Sequence, residues 1–92
     1  MKYGIYTIYD KVAEISGPVF QAKNDSTAIR MLADLVMRTN VVAEDYEMYR
    51  IATWDEETRE MVPEKGGPVE DLYNRVGLAM ICREKEGRNK NE

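Results

Sequence analysis

Seven residues near the start, Tyr3-Gly4-Ile5-Tyr6-Thr7-Ile8-Tyr9, alternate in a way that leaves neither side polar. Successive strand side chains point to opposite faces. Tyr3, Ile5, Thr7 and Tyr9 therefore share one face, and Gly4, Tyr6, Ile8 and Asp10 the other. A strand apolar on both sides belongs at the centre of a sheet or at a protein interface. Asp10-Lys11 reads as a turn and residues 12–16 as a second strand. Gly17-Pro18 interrupts that strand, and proline's missing donor marks the point as an edge, a bulge or a kink. Residues 19–22 continue extended.

A helix follows. Asn24 or Asp25 can cap it, since either side chain accepts an orphan N–H of the first turn. Ala28, Ile29, Leu32, Leu35 and Val36 recur at helical spacing and predict a helix over about 25–38. Arg30, Asp34 and Arg38 fall on the opposite face at successive i,i+4 steps and can pair as a ladder. Residues 40–46 form a polar, acidic connector. Residues 47–54 read as a strand, with Met48, Arg50, Ala52 and Trp54 on one face and Tyr49, Ile51 and Thr53 on the other. Asp55-Glu56-Glu57-Thr58 is a turn and residues 59–62 a short return strand. After a Pro/Gly loop, Val69, Leu72, Tyr73 and Val76 predict a second helix over about 69–76. Gly77 either ends it or is carried through. Residues 78–82 are then a last strand or a further helical turn, and residues 83–92 read as a charged, disordered tail. The expectation is one α+β domain over residues 1–82. It has a small antiparallel sheet of about four strands, one main helix and a second, C-terminal helix.

Composition narrows the chemistry. Ninety-two residues bury only a thin core, so a homodimer interface would help the fold. There is no histidine, which removes the usual general base, Ser-His-Asp and Cys-His systems, and the common zinc sites. Cys82 is alone, so no internal disulfide forms. No Gly-rich phosphate loop is present. Asp55, Glu56 and Glu57 could attract Mg²⁺, but a turn with polar tips is the better reading. The expectation is a non-enzymatic chain with no cofactor and no metal. No apolar run approaches the roughly 20 residues of a membrane helix, and no signal-peptide layout opens the chain. It reads as cytoplasmic.

The net charge of -4 is unevenly spread. Residues 1–43 carry five basic and four acidic groups, residues 44–71 three and ten, and residues 72–92 five and three. Any nucleic acid must therefore sit on a local patch away from the acidic middle.

Four phrases, in this order and spacing, carry a resemblance. They are the Tyr-rich strand ending Tyr9-Asp10, Gly17-Pro18-Val19-Phe20, Asn24-Asp25 with Ala28-Ile29-Arg30, and the run from Tyr49-Arg50-Ile51-Ala52-Thr53-Trp54 through Asp55-Glu56-Glu57-Thr58. Over roughly residues 3–62 the chain resembles the small non-structural protein of gokushoviruses, single-stranded DNA phages of the Microviridae. The resemblance implies a non-catalytic DNA-binding protein in the host bacterial cytoplasm. It would act in genome replication, at the switch from duplex replication to single-strand synthesis. Relatives often close the turn after Thr58 with glycine, where this chain has Arg59.

Single-stranded DNA is thus the expected partner, and strand aromatics are its natural stacking surfaces. Tyr9, Tyr49 and Trp54 are the candidates, against the alternative that they pack in a core or a dimer. Arg30 and Arg38 can meet phosphates from the outer helix face, with Lys2, Lys11 and Lys23 in the same net-positive half. The alternative there is a solvated face neutralised by Asp34. Arg83, Lys85, Arg88 and Lys90 form the other basic patch, either an arm along DNA or a solubilising tail. The rival function is an adaptor whose acidic 44–71 segment docks a phage replication initiator or a host factor.

Overall fold

The computed structural model describes the backbone of residues 1–90 and the side chains of residues 1–85. Strand β1 (Lys2–Asp10) is the central element, one of the two placements its apolar faces allow. Along one side it pairs antiparallel with β4 (Tyr46–Asp55) over its whole length. Along the other it pairs with two short pieces, β2 (Ile15–Ser16) and β3 (Phe20–Ala22). These share one edge, broken at Gly17-Pro18 as proline dictates. Strand β5 (Glu60–Pro63) closes the opposite edge against β4. The architecture is α+β, with an antiparallel sheet and helices α1 (Asp25–Thr39) and α2 (Leu72–Lys90).

Both hairpins use one device. Asp10 Oδ1 accepts from the N–H groups of Val12 (2.9 Å) and Ala13 (3.0 Å), and Glu14 N–H closes back on the Asp10 carbonyl at 2.8 Å. Asp55 Oδ1 accepts from Glu57 N–H at 3.0 Å, and Arg59 N–H closes on the Asp55 carbonyl at 2.8 Å. The N–H groups of Glu57 and Thr58, bonded to that carboxylate, hold the Asp55 carboxyl below its ordinary pKa. Each loop ends on a left-handed residue, Glu14 at φ 59° and Arg59 at φ 63°. A Cβ is strained in that region, so glycine would adopt it more readily than the arginine at position 59. Arg59→Gly is expected to raise unfolding stability by about 1 kcal/mol, read from the urea midpoint. An unchanged or lower midpoint would show that the turn carries no such strain.

Asn24 caps α1: its Oδ1 accepts from Thr27 N–H at 2.9 Å. Asp25 is thereby free for another partner. The helix ends at Asn40, left-handed at φ 53°, whose N–H returns to the Val36 carbonyl. Ala28, Ile29, Leu32, Ala33 and Val36 face inward and meet Tyr6, Ala22 and Met48 from the sheet and Leu72 and Val76 from α2. This cluster is the core. Tyr6 is fully buried and its ring stacks on Phe20, centroids 5.9 Å apart. The Tyr6 ring lies over Gly4, where an added Cβ would sit 2.5 Å from a ring carbon.

Helix α2 departs from expectation. It begins at Leu72 rather than 69, carries through Gly77 and runs to Lys90, so the segment from residue 83 is helical where a disordered tail was expected. One contact across the helix pair reaches the start of that segment. Arg83 donates to Asp34 through Nε (2.9 Å) and Nη2 (3.2 Å), a bidentate ion pair. Asp34 therefore serves α2, and its expected ladder with Arg30 and Arg38 gives way to this contact. The side chains of Arg88 and Lys90, and residues 91–92, lie outside the described residues. No helix among the described residues is long and apolar enough to cross a membrane.

The open sheet face as a candidate nucleic-acid interface

Both helices lie on one side of the sheet. The core they join contains Tyr6 and Met48 but none of Tyr3, Ile5, Tyr9, Tyr49, Ala52 or Trp54. Those six residues occupy the other face, and register shows why. Tyr3 stands opposite Trp54, Ile5 opposite Ala52, Thr7 opposite Tyr49 and Tyr9 opposite Glu47. The pairing shifts by one residue between Ile5 and Tyr6, because β4 carries an extra residue, Ile51. Before the bulge Met48 and Arg50 face the helices; after it Ala52 and Trp54 face away from them. The expected grouping of Trp54 with Met48 and Arg50 is therefore corrected, and Trp54 joins Tyr49.

The face can be followed in rows across the strands. One row runs Tyr3, Trp54, Met61, the last paired with Trp54 from β5. Lys23 is exposed in the bend that follows β3, one residue past the Gly4–Ala22 pair at the Tyr3 end of β1. The next row is Gln21, Ile5, Ala52, Pro63. Ile5 and Ala52 are buried although no helix covers them, so the larger side chains around them form the cover. The last row is Ser16, Tyr9, Glu47. Tyr3, Tyr9, Tyr49 and Trp54 are all half-buried. Tyr49 donates its hydroxyl to Glu47 Oε2 at 3.1 Å, and burial with that bond pushes its pKa up.

The other expected residues divide. Lys2 opens β1, paired in register with Asp55, and its charge helps lower the Asp55 pKa. Lys11 is held by α2: its Nζ donates to the Tyr73 hydroxyl at 2.8 Å and lies 5.3 Å from the centre of that ring. Arg30 and Arg38 are exposed on α1, in the helix layer, and no described residue forms an ion pair with either. The structure thus brings Tyr9, Tyr49 and Trp54 onto one surface, sets Lys23 in the bend past the edge strand β3, and leaves Arg30 and Arg38 on the helix layer. Tyr3 and Met61 complete the surface. Alternation in β1 already grouped Tyr3 with Tyr9, but it showed nothing of the strand across from them.

The acidic 44–71 segment is dispersed rather than gathered. Glu64 lies 3.2 Å from Arg50 Nε and accepts from the Thr53 hydroxyl. Asp55 is spent on its turn. Arg50 also donates to Thr53 Oγ1 at 3.2 Å and lies 3.8 Å from Asp25. Its buried Nε is balanced in charge by Glu64 without a well-aligned hydrogen bond. Asp25, left free by the Asn24 cap, accepts the Tyr6 hydroxyl at 2.5 Å. Burial first, and that bond second, push the Tyr6 pKa up to about 12. This network ties α1 to the sheet on the helix side and leaves the open face to other uses.

Fold and face together define a small open-faced α+β domain: helices seal one side of the sheet and the other presents aromatic side chains. The chain belongs to the phage ORF5 protein family, whose model matches residues 3–75, from β1 into the first turn of α2. Neither a curated protein nor a solved structure matches it.

Proposed function

We propose that this phage protein binds single-stranded DNA, without catalysis, on its open sheet face. It would act in the host cytoplasm during replication of a Microviridae genome, at the switch from duplex replication to single-strand synthesis. The observation that carries the reading is the gathering of Tyr3, Tyr9, Tyr49 and Trp54 on a sheet surface that no helix covers. Each stacked base is worth roughly 1–3 kcal/mol on such side chains, and stacking tolerates any base. Duplex DNA keeps its base faces stacked inside and has nothing to offer this surface. Lys23, in the bend at the Tyr3 end of β1, supplies the positive charge, while Glu47 opposes it. Affinity then rests on stacking, and its salt slope is shallow, because the slope scales with the phosphates neutralised.

Trp54 is the only tryptophan and sits on the face, so its emission reports directly. Titration with a single-stranded oligonucleotide at low salt is expected to quench it, and a duplex of the same length to leave it nearly unchanged. Unaltered emission at saturating single strand would overturn the reading. The face would then belong to a second copy of the chain or to a protein such as a replication initiator, which light scattering with and without that protein distinguishes.

A further inference from the structure

Glu47 is out of place on a surface that meets a polyanion. It shares the open face with Tyr9, its cross-strand neighbour, and with Tyr49, whose hydroxyl occupies one carboxylate oxygen, Oε2. Its other side borders an open groove of about 580 Å³ walled by Pro68, Val69, Tyr73 and Asn74. Lys11, held against Tyr73, contributes a positive charge nearby. A phosphate is repelled here, but a base edge is not. A carboxylate beside a stacking surface is a hydrogen-bond acceptor for the amine of a base.

Resting on the single-strand reading above, we propose that Glu47 is a specificity-determining residue. Its Oε1 accepts from the exocyclic amine of a base stacked at Tyr9 and Tyr49, so the site favours amine-bearing bases over thymine. Cytosine N4, adenine N6 and guanine N2 all offer such a donor. Thymine offers a single ring N–H between two carbonyl oxygens, and both repel a carboxylate. The Tyr49 hydroxyl bond fixes the orientation of Glu47 and leaves the second oxygen available. The two ends of the face then differ: Lys23 with Tyr3 and Trp54 takes phosphate and base, and Glu47 with Tyr9 and Tyr49 takes base alone.

The test compares short oligocytidylate with oligothymidylate, two pyrimidines, by competition in fluorescence anisotropy at one salt concentration. Wild type is expected to prefer the cytosine strand by about fivefold, the net worth of one typical hydrogen bond on a partly exposed surface. Glu47→Gln keeps the shape and the Tyr49 contact, and its amide can accept from cytosine or donate to thymine. It should bind thymine more tightly and bring the ratio close to one. A strand of N4,N4-dimethylcytosine, which has no amine hydrogen, should bind wild-type protein like thymine, and this needs no variant. Equal binding of cytosine and thymine strands by wild type would overturn the proposal while leaving single-strand binding intact. A dimethylcytosine strand that binds like cytosine would do the same. Binding of no strand at all would instead remove the reading on which it rests.

Discussion

Replacing Gly4 with alanine is expected to destabilise the protein by about 2–3 kcal/mol, the upper range for overpacking a tight core. The new Cβ would sit 2.5 Å from one Tyr6 ring carbon and 2.7 Å from the next and from the hydroxyl oxygen. Those are not the loose end of a flexible side chain. Tyr6 has no solvent exposure, its ring stacks on Phe20, and its hydroxyl is tied to Asp25. The ring can yield only by breaking that bond or by pushing α1 off the sheet. Urea unfolding of four proteins checks the cause: wild type, Gly4→Ala, Tyr6→Leu and the double variant. Once the ring is gone the alanine has room, so its cost in the Tyr6→Leu background should fall below about 1 kcal/mol, a coupling expected only of groups in contact. Equal costs in both backgrounds would place the effect in the strand backbone.

The second large effect concerns DNA. Trp54→Leu is expected to weaken binding of single strands by about tenfold or more, within the roughly 1–3 kcal/mol of one lost stacking partner. Leucine keeps an apolar side chain over Ile5 and Ala52, so the fold should survive, and thermal unfolding would verify that. Arg30→Ala and Arg38→Ala are the informative controls. Both lie in the helix layer, on the far side of the sheet from Trp54, and should change affinity less than twofold. If the arginine variants lose affinity and Trp54→Leu does not, DNA lies on the helices and the open face has another partner.

Much of this arrangement can be read from the residues alone. The Tyr3-to-Tyr9 alternation allows β1 the centre of the sheet or an interface and names the members of each face correctly, because strand parity is a local property. The capped start of α1 follows from Asn24 and the apolar stripe behind it. What escapes is non-local. Nothing in Arg50-Ile51-Ala52 announces a bulge, since neither glycine nor proline marks it and the strand pattern runs straight through. The bulge exists because β4 must match β1 and still satisfy both faces. Likewise the C-terminal half of α2 looks like a solvated tail until Asp34 is seen across from Arg83. Spacing made Asp34 available to Arg30 and Arg38, but a bidentate grip from another helix outweighs an exposed i,i+4 pair worth a few tenths of a kcal/mol. The candidate site was half legible for the same reason: its aromatics were visible, but their common surface depends on a pairing register.

The extra residue in β4 acts as a phase shift in a two-letter code. Upstream of Ile51, even-numbered side chains of the strand look toward the helices; downstream they look outward. Removing that one residue would bring the strand back into step. Ala52 and Trp54 would turn into the helix layer, and Thr53 and Asp55 would come out in their place. One of the four aromatics on the face, Trp54, is thus placed by the length of the strand rather than by the identity of any residue on it. In this family, a one-residue gain or loss between Arg50 and Ala52 would rewrite the open face more thoroughly than any single substitution.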